Sequence, residues 1–200
     1  MADNLGLVFA FVILGLFGLA VLAVLIGWMV FVVWFTGRRR QEKRRELEAL
    51  AFGLGGRMQG DVAVITYRER EFGLSHYLTG ETGQGPRYLQ IETRAPWDFH
   101  LRISRGADSI LSQFLHPHIR LGDPSWDDKY SLRAKDLEPV RAFLQQPLHG
   151  QAIEALFERQ ISWLTISPGG LAAVKIAYAE EIRNPQLILG HLDPLLQLTA

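Results

Sequence analysis

No acidic or basic side chain occurs between Asp3 and Arg38, and Leu5 to Phe35 is almost continuously apolar. About 20 apolar residues rise far enough along an α-helix to cross a bilayer core of roughly 30 Å. A helix satisfies its own backbone hydrogen bonds, so a run this long predicts a membrane-spanning helix. Arg38, Arg39, Arg40, Lys43, Arg44 and Arg45 follow at once. Lys and Arg beside a spanning helix tend to stay on the cytoplasmic side. The expected arrangement is a single-pass anchor in a cell membrane, a bacterial inner membrane by this reading, with the N-terminus outside and the remainder cytoplasmic. A cleaved leader would need its basic residues before a shorter apolar core, and here they come after it.

Trp34 falls where an interfacial aromatic belt would lie, next to the basic cluster Arg38–Arg45. Ala20, Ala23 and Gly27 share one side of the helix, where small residues permit close approach by a second membrane helix. The chain therefore divides into an anchor (1–37), a basic juxtamembrane helix (38–56) and a domain (57–200).

Charge is unevenly distributed. Residues 38–45 hold six basic groups and one acidic group, whereas residues 46–200 hold 15 Lys/Arg against 19 Asp/Glu. A nucleic-acid reader normally carries its basic patch on the folded domain, so no nucleic-acid partner is expected. The basic cluster instead suits topology and anionic headgroups. The chain has no cysteine, which excludes disulfides, thiolate zinc sites and a cysteine nucleophile.

Leu47, Leu50, Ala51 and Leu54 follow helical spacing, and Gly53, Gly55 and Gly56 end that helix. It joins anchor to domain without a floppy linker. Strand signals follow over 62–67 and around Leu74–Leu78, with turn residues from Gly80 to Pro86. Leu89, Ile91 and Thr93 alternate with Tyr88, Gln90 and Glu92; Phe99, Leu101 and Ile103 alternate with His100, Arg102 and Ser104. Alternation of this kind belongs to antiparallel sheet with one covered face. His100 reads as an exposed strand residue.

His116-Pro117-His118 precedes a short strand and then Gly122-Asp123-Pro124-Ser125-Trp126-Asp127-Asp128. His116, His118, Asp123 and Asp127 supply plausible metal-ligand types. Their spacing matches neither the calcium loop nor the His-Glu-x-x-His helix. The favoured reading is a tight turn, with Gly122 permitting the bend, Asp123 accepting backbone N–H bonds and Trp126 covering the core edge. After a strand near Tyr130–Ala134, Asp136 is placed to cap a helix over 137–146, and Pro147 separates it from a second over 148–159. A hairpin over 162–178 turns at Ser167–Gly170, and Asn184-Pro185 opens a last helix that Pro194 would kink or divide. The expected fold class is α+β: an antiparallel sheet with helices packed on one face, on a single transmembrane helix.

At Gly122-Asp123, Trp126-Asp127 and Tyr130 the chain resembles a loose group of uncharacterised bacterial single-pass membrane-anchored proteins with a strand-rich cytoplasmic domain. The resemblance implies architecture and location and carries no activity. No Gly-x-Ser-x-Gly elbow, phosphate-binding loop or dinucleotide fingerprint occurs, which favours a non-enzymatic role. The expected function is a membrane-anchored accessory or interaction protein, a scaffold or small subunit whose partner is another membrane protein, with no cofactor. Two alternatives stay open. One is a metal-dependent hydrolase or ligand-binding domain built on His116, His118, Asp123 and Asp127; the weaker one is sensing of anionic lipid by Arg38–Arg45.

Overall fold

The computed structural model describes residues 2–78, 87–105, 117–177 and 184–199. The turn expected at 80–86 and His116 lie outside the described residues. Two compact units divide the chain, Met1–Arg45 and Glu46–Ala200. The first helix, α1, runs Ala2–Gly53 and crosses that division. The division falls where it does because Leu47, Leu50 and Ala51, in the last two turns, are buried in the core of the second unit.

Within the first unit, α1 is the one helix among the described residues long and apolar enough to cross a membrane, with a window of mean hydropathy 2.5 and no buried share. Phe17, Trp28, Met29 and Val33 are each about two-thirds exposed or more. One turn beyond Trp34, the Arg38 guanidinium lies 5.5 Å from the indole centroid and 3.4 Å from Glu42.

In the second unit the end of α1 is closed as the glycines predict. Gly55 takes φ +68°, Gly55 N–H donates to Phe52 O, and Gly56 N–H donates to Ala51 O at 2.7 Å. These paired bonds satisfy the carbonyls that a helix end leaves open. The chain then forms β1 (Arg57–Gln59), β2 (Val62–Tyr67), β3 (Arg70–Leu78), β4 (Arg87–Arg94) and β5 (Leu101–Ser104). Next come β6 (His118–Ile119), α2 (Pro124–Asp127), β7 (Ser131–Ala134), α3 (Leu137–Leu144) and α4 (Pro147–Glu158). Last are β8 (Ile161–Ser167), β9 (Leu171–Ala177) and α5 (Pro185–Leu198).

Among the described residues, nine strands join one antiparallel sheet in the order β1-β2-β3-β4-β9-β8-β5-β7-β6. The β8–β9 hairpin inserts between β4 and β5. One register row, Leu132–Ile103–Leu164–Val174–Ile91–Leu74–Ala63, is fully buried at 0% exposure along its length. Val140 and Phe143 of α3, Ile153 and Leu156 of α4, and Ile188, Leu192 and Leu195 of α5 share its core. This is the expected α+β class. Both outermost strands are short, as edge strands that resist pairing with other chains usually are.

Several local expectations are refined. Asp136 occupies the N-cap of α3 but its side chain makes no capping bond. Pro147 sits in the first turn of α4, where its missing N–H is harmless, so α4 begins one residue earlier than the spacing suggested. Pro194 does not divide α5, which continues to Leu198 because Leu195 and Leu198 are buried beyond it. His191 fastens α5 to the end of α4: Nδ1 lies 2.7 Å from Leu187 O and Nε2 3.0 Å from Arg159 O. The β2–β3 turn was invisible to composition. Arg68 and Glu69 both have positive φ, +46° and +68°, in a two-residue loop that glycine or asparagine normally fills. Asp193 of α5 holds it, accepting from Tyr67 Oη at 2.9 Å and pairing with Arg68 at 3.3 Å.

A Cβ at Gly56 would stand 2.5 Å from both Ile65 Cγ2 and Val64 O. Backbone cannot yield as a flexible side chain does, so Gly56→Ala is expected to destabilise the protein by about 1–3 kcal/mol. Denaturant unfolding of the full chain in detergent measures this; an unchanged midpoint would contradict the packing.

Candidate functional site

The segment richest in chemically active side chains folds as a self-capped turn. Gly122 takes φ +78° and the chain enters α2, a single helical turn. Asp123 Oδ1 accepts from Ser125 N at 2.9 Å, and the Ser125 hydroxyl and N–H hold the Asp123 carboxyl below its usual pKa. Asp127 reaches back with both oxygens, accepting from Leu121 N at 3.0 Å and Gly122 N at 2.9 Å. Trp126 packs at the core edge 5.4 Å from Tyr130. These carboxylates are thus committed to backbone amides. His118 is exposed on β6, and His116 lies outside the described residues. Among the described residues, no group of three or more His, Asp or Glu is arranged to hold a metal ion.

The other histidines singled out by type are structural neighbours. His149 is buried, with Nδ1 2.9 Å from Phe143 O and its ring 4.3 Å from Phe143 and 5.2 Å from Trp97. His100 is half-buried at the start of β5 rather than exposed. On α1, Ala20, Ala23 and Gly27 are all exposed, and a Cβ on Gly27 would meet nothing within 4 Å. Arg44 and Arg45 are exposed and Lys43 half-buried. The side chains of Arg39 and Arg40 lie outside the described residues.

A different arrangement stands out on the sheet face opposite the core row. There one register row reads His118–Arg133–Arg102–Thr165–Ala173–Glu92–Gly73. Two residues along each strand, Ser104, Trp163, Lys175 and Gln90 form the neighbouring row. Arg102 and Arg133 are directly opposite one another on β5 and β7. Like charges in that relation disfavour strand pairing. The Trp163 ring binds the cluster together: Arg102 Cζ is 4.8 Å and Lys175 Nζ 5.2 Å from its centroid, with Tyr88 at 4.6 Å. Cations near an aromatic face are held by its quadrupole. Arg133 is 7% exposed, Arg102, Trp163 and Lys175 are half-buried, and His118 at the edge is exposed.

Lys175 records the local field. Burial, then the positive charge of Arg102, lowers its pKa from 10.5 to about 8, while Glu92 acts in the opposite sense. Glu92 also accepts from Gln90 Nε2 at 2.6 Å and lies over Gly73. Sequence alternation marks Arg102, Gln90 and Glu92 as the polar side of their strands but does not single out Lys175, Trp163 or Arg133. The available signal was Lys175 itself, the one charge in Leu171–Ala177.

Comparison with protein-family models, curated proteins and solved structures yields no match for this chain. The functional reading therefore rests on its own residues.

Asp127→Ala removes an acceptor from two backbone amides and is expected to cost about 1–3 kcal/mol in denaturant unfolding. For Lys175, the folded pKa lies below the unfolded 10.5. The unfolded chain then binds more protons between about 8 and 10.5, so this lysine makes stability rise with pH across that window. NMR titration of the lysine ε-methylene should show a midpoint near 8, moving upward in Arg102→Gln.

Proposed function

We propose that this protein is a single-pass membrane-anchored accessory module that holds a membrane-protein partner beside the cytoplasmic leaflet. The observation that carries the reading is α1, whose apolar side chains between Phe17 and Phe35 are exposed rather than packed into a core. In water such a surface drives aggregation, whereas in a bilayer it is solvated. The basic run Arg38–Arg45 supports an N-out, C-in orientation, and Arg38 over Trp34 suits a headgroup-level anchor. Ala20, Ala23 and Gly27 leave a side of the helix on which a partner helix can approach closely. The resemblance to membrane-anchored proteins with a strand-rich domain agrees with this placement.

Two measurements test the reading. A C-terminal reporter should be active only in the cytoplasm; an external C-terminus would overturn the orientation. Extraction from native membranes in mild detergent should retain a partner, with Gly27→Leu weakening the association while leaving insertion intact. A strictly monomeric protein without a partner under those conditions would end the accessory-module proposal.

A further inference from the structure

We propose that the side of α1 notched at Gly37 is a binding site for the headgroup of an anionic phospholipid, held by Arg38 and Arg45. The inference deepens the anchor reading above and rests on it, because a lipid site has meaning only if α1 enters a bilayer.

Helical spacing builds the site within the first unit. Val33, Gly37, Gln41 and Arg45 form one i,i+4 row, and Trp34, Arg38 and Glu42 form the row beside it. Gly37 has no side chain, and a Cβ there would meet nothing within 4 Å. The first row is therefore interrupted next to Trp34 and Arg38, and the two rows line a groove of about 520 Å³. At about 3.6 residues per turn, Arg38 and Arg45 project within about 20° of one another. Both are exposed.

The chemistry along these rows follows that of a phospholipid. Val33, about two-thirds exposed, and the exposed apolar residues before it match acyl chains. Trp34 has the side chain that settles at headgroup depth, and the Arg38 guanidinium lies 5.5 Å from its indole centroid. Cα–Cβ bonds of a helix tilt toward its N-terminus, so Gln41 and Arg45 lean back toward the headgroup layer. The planar fork of arginine matches the free oxygens of a phosphodiester. Arg38 also pairs with Glu42 at 3.4 Å, but their side chains are 64% and 61% exposed. Exposed pairs contribute little, and a guanidinium has donors enough to serve a phosphate as well. Net charge selects an anionic lipid over a zwitterionic one, because residues 38–45 hold six basic groups and one acidic group. Each basic group near the surface adds to the attraction for an anionic leaflet.

The test uses full-length protein reconstituted into phosphatidylcholine vesicles at physiological ionic strength. Flotation after an alkaline carbonate wash reads insertion first; a protein stripped from the vesicles would end the anchor reading and the site with it. In inserted protein, the motionally restricted fractions of spin-labelled phosphatidylglycerol and spin-labelled phosphatidylcholine are then compared. Phosphatidylglycerol should be preferred by about tenfold or more, as two basic contacts imply. Arg38→Gln and Arg45→Gln should each lower that preference by about fivefold. Gly37→Leu keeps every charge but fills the notch, and should bring the two lipids near parity. Arg44→Gln removes the same charge about 120° around the helix from Arg38, and should leave the preference within about twofold. Four results would each overturn the proposal while leaving the anchor reading intact. They are equal association of the two lipids, a loss in Arg44→Gln as large as in Arg45→Gln, an undiminished preference in Gly37→Leu, and displacement of the labelled phosphatidylglycerol by inorganic phosphate.

Discussion

Successive side chains of an antiparallel strand must leave by opposite faces, and this alternation sets both the core and the candidate site. Seven consecutive strands place a side chain from Leu132 to Ala63 in one register row, each with no exposure at all. A slip of one residue in β4, β5 or β7 would carry a charged or polar neighbour into that core (Gln90 or Glu92, Arg102 or Ser104, Ser131 or Arg133). The strands are therefore locked by burial, and the lock acts equally on the other face. Arg133, Arg102, Thr165, Ala173 and Glu92 are aligned there because Leu132, Ile103, Leu164, Val174 and Ile91 are aligned beneath them. The basic and aromatic cluster is a consequence of the way the core closes.

Polar groups elsewhere illustrate how strongly backbone amides compete for carboxylates. Asp123 and Asp127 have the composition of a ligand set, yet the bend at Gly122 leaves N–H groups of Leu121, Gly122 and Ser125 without ladder partners, and the two carboxylates take them up. Likewise, half-exposed Asp193 supports the positive-φ Arg68–Glu69 turn. His149 and His191 are buried against carbonyl oxygens. In each case a side chain that could do chemistry closes a gap in the hydrogen bonding of the fold.

Much of the local structure was legible because its causes are local. Asn184 accepts from Gln186 N as a helix cap should, with Pro185 at the first helical position. Gly169 and Gly170 both take positive φ in the β8–β9 turn. The alternation over Leu89–Thr93 and Phe99–Ile103 names the buried face correctly. Three places depart from these local rules, and in two of them contacts from distant sequence are the reason. Asp136 is at the right position but makes no capping bond. Arg68–Glu69 turns without glycine because α5 supplies the support. Pro194 is carried inside a helix whose next residues are held by the core.

Short-range periodicity and solvation are properties of the sequence alone, and they determined an apolar helix long enough to span a bilayer, the helix stop at Gly53–Gly56, the hairpin at Ser167–Gly170 and the α+β class. Tertiary structure alone decided that β8 and β9 lie between β4 and β5, and hence that Trp163 and Lys175 meet Arg102, more than 60 residues earlier in the chain. Periodicity tells which face a side chain leaves by, but neighbours across a sheet are chosen by the simultaneous burial of every strand, a property no single segment contains.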